Sequence, residues 1–276
     1  PMAAAMALGA TVPWAVAQTV ITPLSGPAAT QTLVTRTPDR VTVTTGTLRD
    51  GNAFNNFSSF QVGAGDRVGL VVPQGANWLV NVVRDARVQV DGLLQGQLAN
   101  GTVGGNLLFI DRHGFAVGPQ GRVQAGRLVF AAPSSAFVDG LLADGPGLSS
   151  ARVGGVLGGA FDRSDTGVVR IDGAIETTDG VQLMAGHGAG SAHAVAVSGQ
   201  VSVAGRMAGS AVNLGDLRSL APVVVRDGVI DITTPGDIVF NGKLLADGSH
   251  WNEAGAVRVV ASGNIELGSA SATLSL

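Results

Sequence analysis

The chain has 276 residues, of which 45% are apolar and 13% charged, with a formal net charge of −3. That is long enough for a continuous core and too apolar for a disordered chain, and it lacks the basic footprint of a nucleic-acid binder or a polybasic membrane patch. Forty-one glycines argue against a mainly helical protein, since each costs about 1 kcal/mol in a helix relative to Ala. With no Cys, the chain has neither a disulfide framework nor a thiolate metal site.

Residues 1–17 read as the end of a secretory signal peptide. The stretch 2–8 is rich in Ala and Met, and Ala15-Val16-Ala17 is a small-residue cleavage pattern before Gln18. Gly9 and Pro13 interrupt the apolar run, which is too short to span a bilayer. The mature chain is expected to start near Gln18 and to be extracellular.

Residues 18–50, rich in Thr and Val, suit a set of N-terminal capping strands; Val41, Val43 and Thr45 alternate with Arg40, Thr42 and Thr44. From 54 to 133 the chain is a series of short β-type runs. Among them, 87–90 alternates before Asp91-Gly92, and the block Leu107-Leu108-Phe109-Ile110 ends abruptly at Asp111-Arg112-His113-Gly114. Further strand patterns lie at 168–171, 229–233, 238–240 and 257–260, while 206–222 breaks the pattern and reads as an extra hairpin or loop. No window combines a 3.6-residue apolar period with caps at both ends, so no helix is expected.

The chain also repeats itself. Val138-Asp139-Gly140-Leu141-Leu142-Ala143-Asp144-Gly145 returns as Phe240-Asn241-Gly242-Lys243-Leu244-Leu245-Ala246-Asp247-Gly248, with shorter copies at 90–94, 171–175 and 226–230. Each is an apolar residue, Asp/Asn-Gly, then apolar residues. The Asp-Gly step is expected to supply the positive φ of a tight bend. Copies scattered this widely suit the stacked coils of an all-β solenoid, a parallel β-helix of roughly 20 to 25 residues per coil. About ten coils would then fill 60–276. The alternation at 270–276 suggests that strands continue past Leu276.

Candidate chemistry is sparse. His113, His187, His193 and His250 show no zinc-ligand spacing, and Gly186-His187-Gly188-Ala189-Gly190 lacks the helix and acid of a phosphate loop. Asp162 with Asp165, and Asp139 with Asp144, are the acid pairs a β-helical polysaccharide lyase or hydrolase would use. Eight of the seventeen Asp residues instead precede Gly, where the side chain bonds its own turn. No catalytic, cofactor or metal site is expected, and the chain does not read as an enzyme.

The stretch Asn52-Ala53-Phe54-Asn55-Asn56-Phe57-Ser58-Ser59-Phe60-Gln61-Val62 resembles the opening of the two-partner secretion domain of filamentous-haemagglutinin-like exoproteins, where aromatic residues (here Phe54, Phe57 and Phe60) precede the first coil. Asn81-Val82-Val83 resembles the family's Asn-Arg-Val region, and 90–94 its small Gly-containing coil. Leu107 to Ile110 is similar to its apolar strand, and Asp111-Arg112-His113-Gly114 stands where the family carries Asn-Pro-Asn-Gly. The resemblance covers most of 18–276, with Val82 replacing Arg and Asp-Arg-His replacing Asn-Pro-Asn.

What it implies is a right-handed parallel β-helix, capped by 18–50 and continuing into a β-helical stalk from about 250. The chain would be the secretion domain of a large exported adhesin, passing through the Sec route and the outer membrane to the cell surface. It would be recognised by a TpsB-type outer-membrane transporter with POTRA domains through Asn81, Val82, Val83, Asp111, Arg112, His113 and Gly114. A monomer without cofactors is expected. A surface glycan or receptor is a possible ligand of the full-length protein, and a directly glycan-binding module remains an alternative.

Overall fold

A computed structural model describes residues 18–204, 229–247, 256–267 and 273–275. The expected leader at 1–17 and the interruption at 206–222 lie outside the described residues. The described chain is mostly β, in one large and mostly parallel sheet that does not close into a barrel.

Its strands pair in three parallel ladders. The first runs through β5 (Asn52–Val62), β7 (Leu79–Val83), β10 (Asn106–Asp111), β12 (Arg122–Ala131), β14 (Ala174–Met184), β17 (Val229–Thr234) and β20 (Ala256–Ala261). The second starts at the end of β5 and continues through β8 (Val88–Val90), β11 (Gly114–Val117), β13 (Val168–Ile171), β15 (Val195–Val197), β18 (Ile238–Phe240) and β21 (Ile265–Leu267). The third joins β3 (Val41–Thr45), β6 (Arg67–Val72), β9 (Leu93–Leu98), the starts of β12 and β14, then β16 (Gln200–Ala204), β19 (Lys243–Asp247) and β22 (Thr273–Ser275). At the N-terminal end β1 (Val20–Pro23) and β4 (Leu48–Arg49) pair antiparallel with β5, and β2 (Thr32–Arg36) with β3. Those strands occupy edges that would otherwise be open to other chains.

Burial explains which runs alternate and which do not. In the third ladder Val123 and Ala125 are buried while Arg122 and Gln124 face outward, the period of two expected of a half-exposed strand. At β10 in the first ladder both faces are covered, so Leu107, Leu108, Phe109 and Ile110 are all fully buried. Leu107 and Phe109 belong to the central core, where Phe57, Phe60, Phe109, Phe115 and Phe130 form a chain of rings with centroids 5.3 to 6.0 Å apart. Leu108 and Ile110 point the other way, into a second cluster with Phe54, Val80, Val82 and Val129.

That second cluster is roofed by two helices not expected from the sequence, α1 (Ser135–Ala143) and α2 (Ser150–Leu157). Val138, Leu141, Val153 and Val156 are their buried residues. Ser134 caps α1 by accepting from Phe137 N, and Ser149 caps α2 by accepting from Arg152 N. The insertion is pinned to the N-terminal strands. Arg49 donates to Gly147 O at 2.8 Å, and Asp50, in the β4–β5 turn at φ 48°, accepts from Ser150 N at 3.1 Å.

Three expectations need correction. Residues 138–145, expected as an Asp-Gly coil, form α1 and its C-terminal turn. Their near-copy at 240–247 is strand, turn and strand, so Leu-Leu-Ala-Asp adopts both conformations according to what lies beneath it. The stack is also shorter than ten coils: the first ladder has seven strands among the described residues. Leu79 follows Ala53 by 26 residues and Leu107 follows Leu79 by 28, but Val181 follows Leu128 by 53, because the helical insertion lengthens that step.

The glycines of the copies at 91–92, 172–173 and 241–242, finally, are not there for positive φ, although Gly145 at the end of the first copy has φ 104°. Gly92, Gly173 and Gly242 all lie outside that region; what they lack is room. A Cβ at Gly173 would sit 2.2 Å from Gly121 O, one at Gly199 1.9 Å from Gly173 O, and one at Gly242 2.1 Å from Gly199 O. Gly173→Ala should therefore lose stability, by about 1–3 kcal/mol as for other overpacked sites. Gly140→Ala, in α1 with open space around it, should gain about 0.5–1 kcal/mol. Urea unfolding of both variants checks the contrast; equal effects would refute the stacking explanation.

Candidate functional site

The two segments singled out by the family pattern are neighbours. Ile110 pairs with Val82 and Asp111 with Val83, so 81–83 and 110–114 lie on adjacent strands and share the corner between the first and second ladders. The adjoining turn supplies Arg84 and Asp85, an exposed ion pair at 2.7 Å.

Within this corner the side chains divide by depth. Asn81, Val82 and Val83 are buried. Val82 lies beneath the helices, where the arginine of the family pattern would be a buried charge. Asn81 stands in the central core, accepting from Asn55 Nδ2 at 3.1 Å and donating to Leu79 O at 3.1 Å. Asn55 in turn accepts from Thr32 Oγ1 at 2.7 Å. This amide column, which satisfies polar groups that would be costly if unpaired, joins β2, β5 and β7. Asn55 escaped the sequence reading because only the register reveals that it stands opposite Asn81.

Asp111 is fully buried and bridges two coils. Its Oδ1 accepts from His113 N at 2.8 Å, the local turn bond expected of an Asp there, and its Oδ2 accepts from Val88 N at 2.8 Å. Burial pushes its carboxyl up to about 8, against the pull of those two N–H donors and of Arg112 and Arg87. Gly114 has φ 110°, as expected for the end of this turn, and a Cβ there would lie 2.1 Å from Val168 O.

Arg112 and His113 are half-buried. Arg112 Nε donates to His113 Nε2 at 3.0 Å, and Arg112 O accepts from Ser164 Oγ at 2.6 Å. Burial and the neighbouring Arg112 hold the imidazole below its ordinary value, which fits a neutral ring accepting at Nε2. The 3.2 Å approach of Nε2 to Arg84 O is then a contact without a proton between. Ser164 was missed by the sequence reading. It is a buried serine at the end of the insertion whose Oγ also accepts from Gly167 N at 3.0 Å, tying the helical excursion back to the corner.

The remaining predicted residues lie elsewhere. Phe57 and Phe60 are in the central core and Phe54 faces the helices, so all three are packing residues of β5 itself. Asp139 lies on α1, and Asp144 at its C-terminus pairs with Arg152 at 3.2 Å. Asp162 and Asp165 are exposed at the end of the insertion, Asp165 3.9 Å from His187 Nδ1. His193 lies 3.7 Å from Glu266, and His250 is outside the described residues. No protein-family model matches this chain, and no curated protein matches it.

The Asp111 carboxyl sets a pH dependence. Its folded value, about 8, lies above the ordinary 3.8, so the native state holds a proton that the unfolded chain releases between those limits. Its contribution to stability is present below about pH 4 and lost as pH rises towards 8, by at most about 1.4 kcal/mol per pH unit. Asp111→Asn keeps the turn acceptor and removes the titration. Relative to wild type, the variant should become steadily more stable in urea unfolding at pH 5, 7 and 9. A constant difference would contradict the assignment.

Proposed function

We propose that this chain is the N-terminal secretion domain of a large exported adhesin, folded as a right-handed parallel β-helix and recognised in the periplasm by a TpsB-type transporter. The three parallel ladders, each visited in turn as the chain advances by coils of 21 to 28 residues where no insertion intervenes, support the β-helix. The observation that carries the secretory role is the pairing of 81–83 with 109–111. Two segments that each resemble the family's motifs stand on consecutive strands around one corner.

Burial dictates the order of events in this reading. Because Asn81, Val82 and Val83 are inaccessible after folding, a transporter contact with them belongs to the unfolded chain. Extended segments such as 79–83 and 106–111 are suited to strand addition on an open sheet edge of a POTRA module. Once outside, each new coil buries apolar surface worth about 25 cal/mol per Å², and that burial opposes return through the pore. Of the recognition residues Arg112 and His113 stay half-buried after folding, with Asp85 and Arg87 exposed beside them. The role requires no catalysis.

The test is co-expression with the cognate transporter in a Gram-negative host. Leu108→Asp places a charge in the buried face beneath the helices, at a cost of about 3–5 kcal/mol, and should reduce the exported fraction sharply. Arg152→Glu, on the exposed face of α2, should leave export unchanged. Normal export of a Leu108→Asp chain that is shown to be unfolded would sink the folding-driven step. Export without the transporter would sink the secretory assignment.

A further inference from the structure

We infer that the corner between the second and third ladders is a binding groove for an extended, acidic oligosaccharide. The groove has a volume of about 500 Å³ and is lined by four successive coils. Its floor is the column Gly121, Gly173, Gly199 and Gly242, and two polar rims rise beside it. One rim is Gln120, Asp172, Ser198 and Asn241. The other is Arg122, Ala174, Gln200 and Lys243. Parallel stacking sets successive rungs of both rims about 4.8 Å apart along the groove. The repeat suits a chain of pyranose units, which offers hydroxyl groups at a comparable interval.

Three observations select this ligand class. Backbone N–H groups of the corner are used between coils: Arg122 N bonds Gly92 O, Ala174 N bonds Gly121 O, Gln200 N bonds Gly173 O and Lys243 N bonds Gly199 O. A peptide cannot add to them as a further strand, so recognition falls to hydroxyl, amide and cationic side chains. Among the described residues no aromatic side chain lines the groove, so they offer no stacking platform for the apolar face of a neutral sugar. The exposed cations Arg122 and Lys243 stand three coils apart on the same rim, while the Asp172 carboxylate is held 2.6 Å from Arg170 Nε. Glu176, 3.5 Å from Arg122, offsets part of the charge at that end and leaves Lys243 as the stronger anchor. This site is separate from the Asp111 corner and does not depend on the secretory role.

The experiment is fluorescence polarisation of a labelled oligogalacturonate hexamer with the full chain. A labelled neutral cello-oligosaccharide serves as control and a poly-glutamate peptide as competitor. Saturable binding of the acidic sugar, weakened by salt, is expected, with the neutral sugar at least about tenfold weaker. Lys243→Glu should weaken binding about tenfold or more. Ser198→Trp, which fills the groove from an exposed position without changing charge, should abolish binding. Arg152→Glu, remote on α2, should leave it unchanged. Thermal melts establish that each variant is folded. The inference is overturned if the acidic hexamer does not bind, if neither groove variant alters binding, or if poly-glutamate displaces the sugar as well as unlabelled hexamer does.

Discussion

Parallel strands about 4.8 Å apart leave no space for side chains where the chain turns sharply, and the rest of this architecture follows from that spacing. At the corner between the second and third ladders Gly92, Gly121, Gly173, Gly199 and Gly242 follow one another, because a Cβ at each would meet the carbonyl of the coil before it at about 2 Å. The same absence of side chains makes the corner concave. A single packing constraint thus aligns the ladders and opens the groove.

A second constraint acts on the first ladder where it is covered on both faces. From β5 to β12 its inner side chains belong to the aromatic core, and its outer ones are sealed by a helical insertion held to the N-terminal strands by Arg49 and Asp50. Buried on both sides, these strands hide the residues that most resemble a transporter-recognition motif. The proposed function therefore separates in time what the structure unites in space: an extended chain is recognised, and the folded one conceals what was recognised. Asp111 lies at the junction. Exposed in the unfolded chain, it ends buried between two coils, bonded to a backbone N–H from each.

Much of this was legible in the residues. The Asp111 turn bond and the positive φ of Gly114 follow from local chemistry, an Asp accepting from the backbone N–H two residues on and a Gly closing the turn. The continuous run 107–110 marked a buried strand because only double burial removes alternation. Less legible were the two helices. Val138, Leu141 and Leu142, then Val153, Val156 and Leu157, have helical spacing behind Ser134 and Ser149. Gly140, Gly154 and Gly155 disguised that signal, and the repeat of Leu-Leu-Ala-Asp pointed to a strand. Asn55 and Ser164 carried no local mark at all, since each acquires its role from a partner more than twenty residues away.

The sequence by itself determined the β class and the parallel repeat, because alternation and the recurrence of Asp/Asn-Gly between apolar residues are written along the chain. Only the tertiary structure decided which residues stand opposite one another. Register brought 81–83 beside 109–111, gave one copy of Leu-Leu-Ala-Asp a sheet to roof and the other a ladder to join, and turned scattered glycines into a continuous groove. Those outcomes depend on contacts between residues far apart in the chain, and the energy of such contacts exists only once the coils are stacked.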